Sequence, residues 1–122
     1  MAVLCNFKFY SSAIIDDNED VIEFNVKGYK QINDDSIVYY FKNDNEYKFI
    51  IKDNILSVNV NKSVYEFNKT KKTEAILNFD DYVYKASVVT NKLNLSDNKI
   101  EIEYVIDFVS FKGKYKIILE LL

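Results

Sequence analysis

Apolar and polar residues alternate along almost the whole chain, and helical spacing of apolar residues never persists. Successive side chains of an extended strand point to opposite faces, so a period of two commits a segment to a strand with one buried and one wet face. The clearest case is Lys99-Ile100-Glu101-Ile102-Glu103-Tyr104-Val105-Ile106-Asp107-Phe108. After a turn at Ser110 to Gly113 it is followed by Lys114-Tyr115-Lys116-Ile117-Ile118-Leu119-Glu120-Leu121. Setting Phe108 opposite Tyr115 also sets Ile106 against Ile117 and Tyr104 against Leu119, with Asp107 against Lys116 and Val105 against Ile118 on the other face. A slip by one residue would move every side chain to the wrong face.

The same test works elsewhere. Asp53-Asn54 suits a two-residue turn, since Asn and Asp tolerate positive φ, and it pairs Ile51 with Leu56, Phe49 with Val58 and Tyr47 with Val60. Asn61-Lys62 then places Val58 against Tyr65 and Leu56 against Phe67. Asn43-Asp44-Asn45 sets Lys42 opposite Glu46 and Phe41 opposite Tyr47. Asp34-Asp35, Asp80-Asp81 and Asp97-Asn98 set Ile32 against Ile37, Phe79 against Tyr82 and Leu95 against Ile100. Each pair contributes only about 0.2–1 kcal/mol, so their agreement carries the argument. The strands fall at 3–15, 20–33, 36–42, 46–52, 55–60, 63–68, 73–79, 82–95, 99–109 and 114–121. Bulges are expected at Gly28 and near Thr90 to Leu93, where the apolar parity shifts. So many consecutive strands leave long bare edges unless the sheet closes. The expectation is an all-β fold: a single antiparallel up-and-down meander of about eight to ten strands closed into a β-barrel, one domain over residues 1–122.

Composition agrees with a packed domain: 122 residues, 48% apolar, with ten Tyr and nine Phe. The only cysteine, Cys5, allows no intramolecular disulfide and shares a face with Phe7 and Phe9, as a core residue would. Met1 to Asn6 lacks a basic region followed by an apolar run, so no signal peptide is expected and the cytoplasm is the expected location. No apolar stretch is long enough for a spanning helix. Lys48, Lys52, Glu103, Asp107 and Lys116 at outward mid-strand positions argue against a membrane barrel, where each such Lys would cost about 2–4 kcal/mol. All sixteen basic residues are Lys; Arg, His, Pro and Trp are absent while Asn occurs fourteen times, a bias that matches an AT-rich genome. With net charge −3 and no guanidinium, nucleic acid is not an expected partner. The short run Lys69-Thr70-Lys71-Lys72 reads as a solvated loop.

No motif for chemistry survives inspection. Without His or paired Cys there is no familiar triad and no zinc site. Asp16, Asn18 and Asp20 alternate as in a calcium loop, but Val21 stands where Gly is required and Lys27 where the closing Glu belongs, so the segment reads as a hairpin turn. Glu101, Glu103 and Asp107 line up on one outer face rather than across a cleft. No catalytic residue, metal or cofactor is expected. Up-and-down topology gathers Asp16, Asp17, Glu19, Asp20, Asp44, Glu46, Asp80 and Asp81 at one barrel end, partly offset by Lys62, Lys112 and Lys114. Such a rim would attract a cationic ligand or a basic partner surface.

The inward face is the most informative feature. It collects Tyr39, Phe41, Tyr47, Phe49, Tyr65, Phe67, Tyr82, Tyr84, Tyr104, Phe108 and Tyr115. Phe suffices for packing, whereas a buried Tyr needs a partner for its hydroxyl. The candidate ligand-binding residues are therefore Tyr39, Phe41, Phe49, Tyr65, Tyr84, Tyr104 and Tyr115, lining either a cavity or a lumen filled by the side chains themselves. No cation stands inside to neutralise a carboxylate ligand.

Ile37-Val38-Tyr39-Tyr40-Phe41, Val64 to Phe67 with its Lys-rich turn, and Thr90-Asn91-Lys92-Leu93-Asn94-Leu95 resemble the YwiB-like family of small uncharacterised bacterial proteins. So do Ile100-Glu101-Ile102-Glu103-Tyr104-Val105-Ile106 and Tyr115-Lys116-Ile117-Ile118-Leu119-Glu120. That family's Arg-x-Gly stretch is missing near Asn59 to Ser63, as is its Gly near Tyr84 to Ala86. The resemblance implies a calycin-like, lipocalin-like barrel and brings no activity or catalytic residue. The leading expectation is a non-enzymatic barrel binding a small, neutral, partly apolar molecule. The alternative is an interaction module or homodimer using the acidic rim or the outward apolar patch Val105, Val109 and Ile118. An enzyme working through Tyr39 or Tyr104 ranks last.

Overall fold

The computed structural model describes residues 2–108 and 111–122. These form ten strands: β1 (Ala2–Ile15), β2 (Asn18–Ile32), β3 (Ile37–Asn43), β4 (Asn45–Lys52), β5 (Ile55–Val60), β6 (Ser63–Phe67), β7 (Thr73–Phe79), β8 (Tyr82–Leu95), β9 (Lys99–Asp107) and β10 (Lys112–Leu121). Every strand pairs antiparallel with its neighbour in sequence, and β10 returns to β1 to close the barrel. Met1, Val109 and Ser110 lie outside the described residues. Parts of three sequence expectations therefore fall there: the end of the ninth strand, the turn after it, and one member of the outer apolar patch.

The chain turns tightly almost without glycine because Asp and Asn take the left-handed positions. Asp16 (φ 51°) and Asp17 (65°) join β1 to β2, while Asp53 (54°) and Asn54 (62°) join β4 to β5. Asp44 (61°) and Asn61 (54°) serve two further turns. Asn61 also ties adjacent hairpins together, its Oδ1 accepting from the Glu46 N–H at 3.0 Å and its Nδ2 donating to Asn45 Oδ1 at 2.9 Å. The pairings expected across the β2–β3, β3–β4, β4–β5, β5–β6, β7–β8 and β8–β9 turns are all present.

Three expectations need correction. First, β2 runs past Gly28 without a bulge, Gly28 pairing with Cys5 on one side and Phe41 on the other. The glycine is there for lack of room: a Cβ would lie 2.2 Å from the Tyr40 carbonyl oxygen and 2.9 Å from the Phe7 ring. Second, Tyr115 sits opposite Tyr104 rather than Phe108, a slip of four residues. An even slip preserves both faces. The observed register gives Lys112 the Asp107 carboxylate at 3.6 Å and closes the turn with a Phe108 N–H to Phe111 carbonyl bond and stacked rings 4.5 Å apart. It also separates Val105, now opposite Lys114, from Ile118, now opposite Glu101. At about 3.3 Å per residue these two apolar side chains stand roughly 13 Å apart along the sheet and form no joint patch. Third, Tyr82 projects beyond the barrel on the β7–β8 tip against Phe79, and is 61% exposed.

The second expected bulge is present between Thr90 and Lys92. Thr90 and Leu93 both face the core side, so Asn91 and Lys92 both fall outside. Lys92 thereby reaches Glu101 at 3.3 Å and Glu103 at 3.7 Å. Its hydrogen bond holds the Glu101 carboxyl below the ordinary range, so this carboxylate row is neutralised by Lys92 on an outer surface.

Candidate functional site

The barrel interior is divided along its axis. At the end that holds both chain termini, large side chains fill it: Phe7, Phe49, Leu56, Phe67, Ile100 and Leu119 have no exposed surface. Phe7 meets Tyr39 edge to face at 6.0 Å and Phe41 at 5.4 Å, and Phe41 stacks on Tyr47 at 4.9 Å. Toward the other end the inward positions become small. On β1, Phe7 and Phe9 give way to Ser11 and Ala13, and on β10 Leu119 and Ile117 give way to Tyr115 and Gly113. The volume those residues do not fill is a cavity of about 290 Å³.

Phe9 and Tyr47, their rings 5.0 Å apart, lie against one side of it. Val58, Val60, Leu77, Ile106 and Ile117 supply aliphatic wall, and Tyr65, Tyr104 and Tyr115 supply phenols. Tyr104 and Tyr115 stack at 5.1 Å with 14° between their planes, and Phe67 backs Tyr104 at 4.6 Å. Tyr115 reaches this position by folding over Gly113, where a Cβ would meet its hydroxyl at 2.4 Å. Ser11, Ala13, Ile22, Asn45 and Phe108 complete the lining. They lie on the strand ends adjoining the β1–β2, β3–β4 and β9–β10 connections, so the cavity belongs to the acidic end of the barrel. Three larger depressions, of about 590, 470 and 430 Å³, lie around Asp53 and Lys69, around Lys71 and Glu74, and around Asn25 and Lys27. The first two have no aromatic residue in their walls and the third has Phe7 alone.

Burial pushes the phenols of Tyr65, Tyr104 and Tyr115 upward from their ordinary range, Tyr104 furthest. Tyr65 and Tyr115 beside Tyr104 add to the effect, because neighbouring phenolates would repel. All three therefore act as neutral hydroxyls around neutral pH. None of them bonds to another protein group among the described residues, although Tyr104 is only 6% exposed. The walls thus present apolar surface and a few undirected hydroxyl groups, an arrangement that holds a small molecule by shape and a hydrogen bond or two.

No protein-family model matches the chain, and no curated protein matches it. The crystal structure of the ywiB protein from Bacillus subtilis aligns with it at a TM-score of 0.72, covering 99% of this chain and 93% of that one. The two proteins share a fold. With 17% of residues identical, the likeness to the ywiB protein carries the architecture alone, and the chemistry of the lumen has to be read from this chain's own residues.

Of the residues expected to line a ligand site, Tyr65, Tyr104 and Tyr115 do so. Tyr39, Phe41 and Phe49 point inward as expected but belong to the filled end, where burial raises the Tyr39 phenol and the Lys30 ammonium stands 5.6 Å from its ring. Tyr84 stacks on Phe108 at 6.0 Å and does not line the cavity. Ser11, Ala13, Asn45 and Leu77 were not expected, and the signal for them is size. Small inward residues on β1 and β10 stand at the same barrel end.

Thr90, opposite Tyr104 on β8, is buried with its hydroxyl unbonded. An unsatisfied buried hydroxyl costs about 1–3 kcal/mol. Thr90→Val, nearly isosteric and suited to a strand, is expected to stabilise the fold by about 1 kcal/mol, measured as a higher urea midpoint at unchanged slope. A fall in stability would mean that the hydroxyl is bonded in solution.

Proposed function

We propose that this chain is a calycin-type binding barrel of the YwiB-like group, acting in the cytoplasm without catalysis. It holds a small, partly apolar molecule that carries no negative charge. The carrying observation is the cavity of about 290 Å³ with Tyr104, 6% exposed, in its wall and no hydrogen bond from its hydroxyl to the described residues. An engineered apolar cavity of about 150 Å³ already holds benzene, so the volume suffices for a ring with a short substituent. Anions are disfavoured because no Lys lines the cavity and its mouth lies among carboxylates. Binding is favoured over catalysis by the donor set, since the lumen offers phenols pushed away from neutral pH and no second acid or base to work with them.

The test has two parts. Native mass spectrometry of the purified protein, before and after gentle organic extraction, should show an excess mass that extraction removes. The neutral fluorophore N-phenyl-1-naphthylamine should bind the extracted protein, and Leu77→Phe, which grows into the cavity, should weaken it about tenfold or more. The same variant should keep its stability to within about 1.5 kcal/mol, because the added atoms enter free volume. Undiminished probe binding in Leu77→Phe would place the probe elsewhere and sink the proposal.

A further inference from the structure

We infer that the molecule held in this cavity is cationic: a small organic ammonium whose apolar part lies among the aliphatic walls and whose charge faces the aromatic rings and the acidic mouth. The inference rests on the reading of the cavity as a ligand site and adds the sign of the ligand's charge. It departs from the neutral ligand expected from sequence, because sequence alone did not show that the open half of the lumen coincides with the acidic end.

Four observations lead to it. Rings of Phe9, Tyr47, Tyr65, Tyr104, Phe108 and Tyr115 meet around one volume that no charged side chain lines. Aromatic faces carry the negative side of a quadrupole and attract an ammonium most strongly where water is excluded. Tyr104, 6% exposed, lines this volume, and its hydroxyl, without a protein partner among the described residues, can accept a hydrogen bond from what enters. The lining residue Ala13 pairs with Asp20, and the lining residue Asn45 stands between Asp44 and Glu46, so carboxylates adjoin the mouth directly.

The fourth observation is the uneven charge of the two ends. Asp16, Asp17, Glu19, Asp80 and Asp81 complete an exposed acidic rim, against Lys42, which stands opposite Glu46, and Lys62, Lys112 and Lys114, of which Lys112 is engaged by Asp107. At the far end Lys69, Lys71, Lys72 and Lys99 balance Asp34, Asp35, Asp53 and Asp97, with Lys52 paired to Asp35 at 3.3 Å. Asp16, Asp17 and Asp44 hold left-handed turn positions that Asn fills equally well at Asn54 and Asn61, so the turns need the residue shape and not its charge. A field of this kind draws cations in and repels anions, and it weakens as salt screens it.

The test uses the full chain after extraction, followed by NMR during titration with three probes of similar shape. They are benzyltrimethylammonium, its uncharged carbon isostere neopentylbenzene, and the anion phenylacetate. The expected result is that benzyltrimethylammonium shifts the Tyr65, Tyr104 and Tyr115 ring signals and binds about tenfold more tightly than the isostere at low salt. The advantage should shrink at high salt, and phenylacetate should not bind. Asp16→Asn, Asp17→Asn and Asp44→Asn combined should lower the cation's affinity about threefold or more and leave the isostere's unchanged. Asn tolerates the positive φ at each of these positions (51°, 65° and 61°), so the turns keep their shape. Binding of neopentylbenzene as tight as that of the cation, with the same ring signals shifting, would overturn the charge assignment and leave the cavity reading standing. If neither probe moved those signals, the cavity reading itself would fall, and this inference with it.

Discussion

Gly28→Ala is expected to cost about 3 kcal/mol, and Gly28→Val to prevent folding. Native domains are held by only about 5–15 kcal/mol, so either change is large. The cost does not come from backbone freedom, since Gly28 has no positive φ. It comes from the Tyr40 carbonyl oxygen, 2.2 Å from where a Cβ would stand, with the Phe41 Cβ at 2.8 Å and the Phe7 ring at 2.9 Å. A ring edge can swing aside, but a carbonyl in the β2–β3 ladder moves only if the strands separate. Truncation of Phe7 should therefore fail to rescue Gly28→Ala. Gly113→Ala is the internal comparison, because there the obstructing atoms are the far end of the Tyr115 ring. It should cost nearer 1 kcal/mol and displace Tyr115 from the cavity. Urea unfolding of the three variants checks the order. A Gly28→Ala protein within 1 kcal/mol of wild type would show that the ladder yields at Gly28.

That glycine also marks where sequence reasoning ran out. A glycine inside a strand signals either a bulge or a close approach, and a shift of apolar parity at Gly28 favours the bulge. In the structure Tyr29 is outward and half-exposed, and the inward slot is taken by Lys30, which covers the Tyr39 ring. One lysine stem on an aromatic face was enough to disguise the parity. The β9–β10 error has a different origin. Alternation fixes which side faces in but is blind to slips of two or four residues, and only the turn decides among those. Asp-Asn pairs with room for exactly two residues settled the turn at Asp53, whereas Phe108 to Gly113 carries no comparable signal. The five other hairpins whose pairings can be read from the sequence each carry Asp or Asn in the turn, whereas β1–β2 and β6–β7 yield no pairing that way.

The candidate site was half legible for a related reason. Alternation placed Tyr39, Phe41, Phe49, Tyr65, Tyr104 and Tyr115 inside, where they are. It gave no height along the barrel axis, because that depends on strand tilt and on how far each hairpin reaches. Tyr39 and Tyr65 look equivalent in sequence, yet one packs among the filled layers and the other faces the cavity. The legible clue was volume: Ser11, Ala13 and Gly113 lie together at one end, opposite aromatic residues too few to fill it.

The buried phenols should make the protein fail in alkali. A phenol in the unfolded chain ionises near pH 10.0, whereas burial and the neighbouring Tyr65 and Tyr115 hold Tyr104 protonated well beyond that. Below about pH 10 both states carry the proton and the phenols do not influence the balance. Above it the unfolded chain has released protons that the native chain retains, so each further rise in pH favours unfolding. Tyr104 alone should remove about 1.4 kcal/mol per pH unit, hence roughly 2–3 kcal/mol by pH 12, with Tyr65 and Tyr115 adding to the loss. Urea midpoints measured across this range should stay flat to about pH 9.5 and then fall steeply, and the last rise in tyrosinate absorbance should coincide with unfolding. Tyr104→Phe removes one of the titrating groups and should flatten the fall by about one proton's worth. An identical slope in that variant would mean that the Tyr104 hydroxyl reaches water in the folded state. Benzyltrimethylammonium, if it binds among these rings, should shift the fall to higher pH by stabilising the native state. Neopentylbenzene should do so less at equal concentration, linking the alkaline limit of the fold to the charge its cavity accepts.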